Sequence, residues 1–387
     1  MTSRQSVDNN PVAKKRSKKK VVIAIAVAVL LLGGCAFAAN TVLNKVAPNS
    51  NILRSLVKNL PLVEDRLDGE SDGRINIVLL GMRGKGVTGG GTLADTIMVL
   101  SIRIAENAEG NKEYKASMIS VPRDLYVTIP GTTTNTKING VYAYGEEKGK
   151  GRGMEAMKQI LQDISGQPMQ YAVEINFEGF KQVVDALGGV EVNLAQDFIE
   201  PVQFHEAKVC DPNVFTVKSG QYETKIDKDH GGKIVAQYPL CYNAHEECGG
   251  VFKVPAGVSI LDGERALCYV RARYTSSDFD RARRQQEVIG QIKQKALSMG
   301  VLTDFGKVQG IYSALSDNVN TDMELWEMQR FFDLYKKMGD DVVITHKVLD
   351  NSEEGLLYSH EGDERGYILI PRGDTYDRIR ELFANII

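Results

Sequence analysis

An uncharged apolar run, residues 21–39 (VVIAIAVAVLLLGGCAFAA), decides where the rest of this chain is able to fold. A bilayer span needs about 20 apolar residues, and cations flanking a span stay on the cytoplasmic side. Just before the run lie Arg4, Lys14, Lys15, Arg16, Lys18, Lys19 and Lys20, against Asp8. The net charge of the whole chain is −3, so everything after this basic head is acidic. The pattern predicts a basic cytoplasmic tail over 1–20, a transmembrane anchor over 21–39 and a juxtamembrane spacer over 40–72. The globular part is then extracytoplasmic, tethered to the cell membrane as a single-pass protein. Leu32-Gly33-Gly34-Cys35 resembles a lipoprotein cleavage box, but the apolar run continues to Ala39, which favours an uncleaved anchor. The lysines read as a topology signal, so no nucleic-acid partner is expected.

Five cysteines suit an oxidising compartment, where disulfides are the default. Cys268 lies in the apolar run ALCYV and reads as a small core residue. Cys210, Cys241 and Cys248 fall in one polar stretch. The expected bridge joins Cys210 to Cys241 or to Cys248 and leaves one thiol free. A zinc site built on Cys241-x3-His245-x2-Cys248 is the weaker alternative, because its spacing matches no common zinc module.

Beyond residue 72 the periodicity alternates. Ile75–Leu80 (INIVLL) is an apolar run of strand length broken only by Asn76, as in a strand buried on both faces. Thr96–Ile104 and Tyr114–Val121 are two further strands. Met154, Met157, Ile160, Leu161 and Ile164 recur at helical spacing. Tyr171–Phe177 reads as a strand, the segment around Phe180–Leu187 as a helix ended by Gly188-Gly189, and Val190–Leu194 as another strand. Strands alternating with helices predict an α/β domain with a central sheet. Residues 196–250 dissolve into polar, turn-rich sequence and read as an insertion or lid. A long helix is expected over Asp278–Met299. The region 73–300 thus forms the main domain, with 301–387 as a C-terminal segment packed on it.

Gly84-x-Gly86-x-x-Gly89 matches the dinucleotide fingerprint only as a string. That motif works by opening a helix whose N-terminus faces a pyrophosphate, and here it runs into the strand-like TLADTIMVLSI. Arg83 and Lys85 remain in this glycine-rich loop, where a ligand can approach the backbone closely.

The stretch YVRARYTSSDFDRARRQQ, residues 269–286, concentrates cations. If Tyr269–Arg273 is extended, Arg271 and Arg273 share a face about 6.6 Å apart, a spacing that lets two guanidinium forks clamp neighbouring phosphates. Asp278, Arg281 and Gln285 then fall near one face of the following helix. Arg123 and Lys137 join them in separate loops, and Asp95 precedes the second strand without a sequence-local partner. Six cations (Arg83, Lys85, Arg123, Lys137, Arg271, Arg273) in an acidic ectodomain describe a polyanion site. Outside the cell such an anion is better met by a lipid-linked glycan pyrophosphate than by a nucleotide.

The pieces INIVLLG, Asp95-Thr96 with IMVLSI, SVPRDLYV, KINGVYAYG, INFEGFKQVVDALGGVEV, LDGERALCYVRARY and DFDRARRQQ occur in this order between Ile75 and Gln286. Together they resemble the LytR-CpsA-Psr family, phosphotransferases that attach glycopolymers to the bacterial cell wall. The resemblance implies a three-layer α/β/α fold around a mixed sheet, with a groove for a polyprenyl chain. It also implies a polyprenyl-pyrophosphate-linked glycan as donor, peptidoglycan as acceptor and a phosphodiester as product. Carried over by motif, Arg123, Lys137, Arg271 and Arg273 bind the pyrophosphate, Arg281 and Gln285 support it, and Asp95 holds Mg²⁺. Catalysis is expected from Asp95, Arg123, Arg271 and Arg273, with Arg83, Lys85, Lys137, Asp278, Arg281 and Gln285 on the pyrophosphate. The glycine run before Asp95 and the insertion at 196–250 are atypical of the family, and one further departure matters more. The loop that usually reads Gly-x-Asp, and supplies a second metal-binding aspartate, reads Gly81-Met82-Arg83 here. Either Arg83 supplies the positive charge itself, with Asp95 as ion-pair partner, or Asp95 binds metal with another residue. A hydrolase of the same lipid pyrophosphate and a non-enzymatic glycopolymer binder are the rival functions.

Overall fold

The computed structural model describes residues 66–84, 91–107, 109–201, 210, 216–227, 233–243, 248–298, 305–339, 342–360 and 366–387. The basic tail, the apolar run, the spacer up to residue 65 and Lys85 lie outside these residues. Among the described residues no helix is long and apolar enough to cross a membrane.

The domain opens with an antiparallel hairpin of β1 (Arg74–Met82) and β2 (Thr96–Glu106), and the chain then turns back into β3 (Lys112–Ser120). A small hairpin, β4 (Tyr126–Thr128) and β5 (Asn135–Lys137), leads into α1 (Asn139–Lys148) and α2 (Arg152–Ser165). β6 (Tyr171–Asn176) rejoins the sheet parallel to β1, followed by α3 (Phe177–Ala186), β7 (Val190–Leu194) and β8 (Phe198–Glu200). The long hairpin β9 (Thr216–Asp227) and β10 (Lys233–Asn243) precedes β11 (Phe252–Val254), β12 (Gly257–Leu261), α4 (Gly263–Arg271) and α5 (Asp278–Ser298). The chain ends with α6 (Phe305–Leu315), β13 (Val319–Thr321), α7 (Leu325–Met338), β14 (Ile344–Val348), β15 (Leu357–His360), β16 (Ile368–Pro371) and α8 (Asp377–Asn385).

The central sheet runs β13-β6-β1-β2-β3-β14 and is mixed: β1/β6 and β3/β14 are parallel, the other pairs antiparallel. Successive side chains of a strand point to opposite faces, and here both faces are covered. Ile75, Ile77 and Leu79 of β1 pack with the buried sides of α3, α4, α5, α6 and α7. Val78, Leu80 and Met82 pack with α1, α2 and α8. In α2 the five residues at helical spacing, Met154, Met157, Ile160, Leu161 and Ile164, are all buried against the sheet. The result is an α/β/α layering.

Three expectations need correction. Residues 269–273 are not extended: α4 runs through Arg271, and only then does the chain straighten at Ala272 (φ −54, ψ 132). Asp262 starts this helix by accepting from the Arg265 N–H at 2.9 Å, and nearly every residue that follows is buried, which hides the helical period. The C-terminal segment does more than pack on the domain, since β13 and β14 are the two edge strands of the central sheet. The polar stretch 196–250 holds β8 and the β9–β10 hairpin rather than irregular chain.

The cysteines pair differently from the reading in one respect. Cys210 bonds to Cys241, but Cys248 bonds to Cys268. Cys268 is fully buried on α4, so burial alone could not separate a core thiol from a bridge. No thiol of the three is left free, and the zinc alternative loses its ligands.

Candidate functional site

Ligands of α/β sheets bind outside the carboxyl ends of parallel strands. β1 and β6 are one of the two parallel pairs, and beyond their ends at Met82 and Asn176 opens a cavity of about 590 Å³. Its throat is apolar. Leu79, Met98, Val173 and Ile175 of the sheet face Phe180 of α3, Leu267 and Val270 of α4, and Ile289 and Ile292 of α5. The helices reach this position because α4 abuts α3 directly: a Cβ built on Gly263 would lie 2.4 Å from the Lys181 carbonyl oxygen. Asn176 caps α3 by accepting from the Gly179 N–H at 2.8 Å, which sets Phe177 at the cavity's edge.

The mouth is cationic. Arg83, Arg123, Arg271, Arg273 and Arg281 line it together with Asp95 and Gln285. Arg123 Nη1 donates to Asp95 Oδ1 at 2.8 Å, and its Nε lies 3.3 Å from Asp278 Oδ2. Asp278 Oδ1 also lies 3.2 Å from Arg281 Nη1 and 3.6 Å from Arg273 Nη1. Burial pushes the Asp95 carboxyl up, but Arg123, helped by Arg281 and Arg83, outweighs it and holds the group below the usual carboxylate value. Burial pulls Arg281 below the usual guanidinium value, and the nearby Arg123 and Arg273 add to this against Asp278. Arg123, Arg273 and Arg281 thus gather on Asp278, and Arg123 also on Asp95, while Arg83 and Arg271 line the same mouth. A cluster of guanidinium forks around two carboxylates suits an anion from outside.

The arginines are held by different means. Arg271 is buried, at 8 % exposure, and its guanidinium lies over the Phe177 ring, 4.0 Å from the centroid. The Arg273 side chain is half exposed. Arg284, one position from the predicted face of α5, donates through Nε to the Tyr269 carbonyl at 3.0 Å and through Nη2 to the Ala272 carbonyl. It satisfies carbonyls orphaned at the end of α4. Gln285 Nε2 donates to the Val270 carbonyl at 3.3 Å, so it braces the same helix end while lining the cavity.

Of the residues read from the sequence, Arg83, Asp95, Arg123, Arg271, Arg273, Arg281 and Gln285 come together around the cavity, and Asp278 bridges three of the arginines. Lys137 does not line it. Its Nζ lies 2.7 Å from Asp124 Oδ1, and Asp124 in turn lies 3.5 Å from Arg123 Nε. Phe177, Tyr274 and Arg284 were missed as site residues. Phe177 follows a strand end, the place where functional side chains of α/β sheets gather; Arg284 was visible inside the run RARRQQ.

The donor set does not suit Mg²⁺. A magnesium site wants oxygen ligands in an octahedron, yet Asp95 is the one carboxylate among the described lining residues and is bonded to Arg123. Asp278 is engaged by three arginines. Among the described residues no group of three or more His, Cys, Asp or Glu is placed to hold a metal ion.

Comparison with known proteins agrees with this architecture. The profile of the LytR_cpsA_psr family matches residues 40–366. The chain is 27% identical over 362 residues to the polyisoprenyl-teichoic acid–peptidoglycan teichoic acid transferase TagU of Bacillus anthracis, covering 89% of this chain and 94% of that protein. Among solved structures it is similar to protein gbs0355 of Streptococcus agalactiae, with 21% identity, a TM-score of 0.56 and coverage of 83% and 92%. It is also similar to TagT bound to LIIa-WTA, with 22% identity, a TM-score of 0.51 and coverage of 84% and 93%. At these identities the structural likeness speaks for the fold alone.

Proposed function

This chain belongs to the LytR-CpsA-Psr family, and from that membership we propose that it moves a glycopolymer from a polyprenyl-pyrophosphate carrier to peptidoglycan. It is a phosphotransferase, anchored in the cell membrane through residues 21–39, with its domain on the extracytoplasmic side. One observation carries the reading: a single cavity joins an arginine-rich mouth to an apolar throat. A lipid pyrophosphate has those two halves, an anionic head and a hydrocarbon tail.

The tail buries against Leu79, Val173, Phe180, Val270 and Ile292, where apolar surface leaves water at about 25 cal/mol per Å². The phosphates meet Arg83, Arg123, Arg271, Arg273 and Arg281, whose forks suit phosphate oxygens bidentately. Asp95 and Asp278 hold the forks of Arg123, Arg273 and Arg281. An acceptor hydroxyl oxygen attacks the glycan-bearing phosphorus, and the bond from that phosphorus to the bridging oxygen breaks. The bridging oxygen leaves on the lipid phosphate, which takes up the proton of the hydroxyl and departs as the lipid monophosphate. Fixed guanidinium groups stabilise the charge that builds on the leaving phosphate in a site partly closed to water. They do so in place of a metal.

The test is an incubation of the full-length chain in detergent with a polyprenyl-pyrophosphate-linked glycan and a peptidoglycan oligomer. Glycan coupled to peptidoglycan, with release of lipid monophosphate, is the expected result. Lipid monophosphate without coupling would make the protein a hydrolase, and donor binding with no turnover would make it a glycopolymer binder.

A further inference from the structure

The base of the polar stretch 196–250 is fastened to the connection that carries Arg273. Glu200, the last residue of β8, is 0 % exposed. Its carboxylate accepts from the Tyr274 N–H, from the Thr275 N–H at 3.3 Å and from the Thr275 hydroxyl at 2.7 Å. These two residues directly follow Arg273, and Tyr274 lines the cavity. β8 is itself fixed. It pairs with β11 through Glu200↔Phe252, Phe198 packs edge-on to Tyr269 at 5.2 Å, and the Arg284 guanidinium covers the Phe198 ring at 5.1 Å. The Cys248–Cys268 bridge crosses from the same stretch to α4.

A buried carboxylate that takes three donors from one loop is a rigid anchor, because hydrogen bonds to an ionised acceptor are roughly twice as strong as neutral ones. Arg273 needs such an anchor. Its side chain is half exposed and its ion pair with Asp278 is long, at 3.6 Å. Backbone position, more than side-chain packing, therefore determines where its guanidinium sits.

We propose that Glu200 is a positioning residue for the phosphate clamp, holding the turn 272–275 so that Arg273 stands ready for the donor's pyrophosphate. This inference rests on the reading of the cavity as a lipid-pyrophosphate site. Preorganisation acts by removing an ordering cost at binding, so the effect belongs in anion affinity and must run through Arg273.

The experiment measures the affinity of inorganic pyrophosphate for the full-length chain in detergent by titration calorimetry. It compares wild type, Glu200→Gln, Arg273→Ala and the double variant. Glu200→Gln keeps the volume but turns an amide N–H toward groups that also donate. It should weaken binding about tenfold and speed amide exchange across 272–277 while α4 and α5 keep their protection. In the Arg273→Ala background the same change should cost less than about twofold, since two residues acting through one contact are not additive. Equal weakening in both backgrounds marks a general structural role and overturns the proposal, as does unchanged affinity of Glu200→Gln. If Glu200→Gln does not fold, Thr275→Ala removes one exposed donor and takes its place. It should weaken binding by about threefold, again only when Arg273 is present, and any other pattern overturns the proposal. A wild-type chain that binds no pyrophosphate overturns the reading of the cavity and this inference with it.

Discussion

Arg123 and Asp95 are joined Nη1 to Oδ1 at 2.8 Å, between the loop after β3 and the residue that precedes β2. Burial pulls the Arg123 guanidinium down, but Asp95 and then Asp278 outweigh it and raise it above its usual value. The arginine thus meets three carboxylates, Asp95, Asp278 and Asp124, and still lines the cavity. Truncating it removes a phosphate contact and leaves those carboxylates facing the anion. Loss of one partner of a buried charge pair costs about 2–5 kcal/mol in binding. Arg123→Ala should therefore weaken the donor by roughly thirtyfold or more, at about 1.4 kcal/mol per decade. A competition titration with the lipid pyrophosphate measures this, and affinity within about threefold of wild type contradicts the assignment.

Arg271 and Arg273 should separate in their effects. Arg273 is half exposed, so Arg273→Ala should leave the melting temperature unchanged and still abolish most transfer. Arg271 is buried over Phe177, a cation–π contact worth about 0.5–2 kcal/mol. Arg271→Ala should lose transfer and also stability. Thermal melts beside a transfer assay decide it. Equal destabilisation by both substitutions would show that the two side chains are packed alike.

The strands and helices with uninterrupted signals were legible from sequence for physical reasons. Ile75–Leu80 is apolar at every position but Asn76 because both faces of β1 are covered, and α2 shows its period because one side meets solvent. Residues 266–271 are buried on nearly every side, so short-range periodicity cannot tell strand from helix there; the Asp262 cap was the signal that separated them. The cations of the site were legible as types, since an otherwise acidic domain rarely collects arginines without an anion to meet. Their partners were not. Asp95 meets Arg123 across 28 positions of sequence, and Glu200 meets the 274–275 turn across more than 70. Nothing local marks either carboxylate.

The entry of the chain into the domain carries its own pH dependence. Glu70 accepts from Arg330 of α7 at 2.6 and 3.1 Å and from the Leu67 N–H at 3.1 Å. Burial raises its carboxyl, but the bonds from Arg330 and Leu67 outweigh that and hold it below the ordinary 4.5. A carboxyl lowered in the folded state stabilises above its unfolded value, and that contribution disappears as pH falls through the folded value. The stability advantage of wild type over Glu70→Gln should stay constant from neutral pH down toward 4.5, shrink below it, and vanish in stronger acid. Denaturant melts of both chains across that range measure it. An advantage that grew on acidification would reverse the sign and rule out the pair as its source.

Arg83 bears on the metal. A leaving phosphate needs a fixed positive partner, and either a divalent ion or a guanidinium fills that need. Arg83 lines the mouth where the family usually carries an aspartate, and it adds to the cations that depress Asp95. With Asp95 already bonded to Arg123 and Asp278 held by three arginines, an incoming Mg²⁺ would meet arginines on several sides and, among the described lining residues, a single carboxylate. Transfer should therefore survive chelation with little loss. Arg83→Asp should reverse the electrostatics by placing a second carboxylate near Asp95, tightening Mg²⁺ binding and making activity depend on it. Titrating transfer against Mg²⁺ after chelation, in both chains, separates the two accounts. Wild-type activity that vanishes with chelator and returns with Mg²⁺ would mean that Asp95 recruits the metal with other ligands and that Arg83 does not replace it.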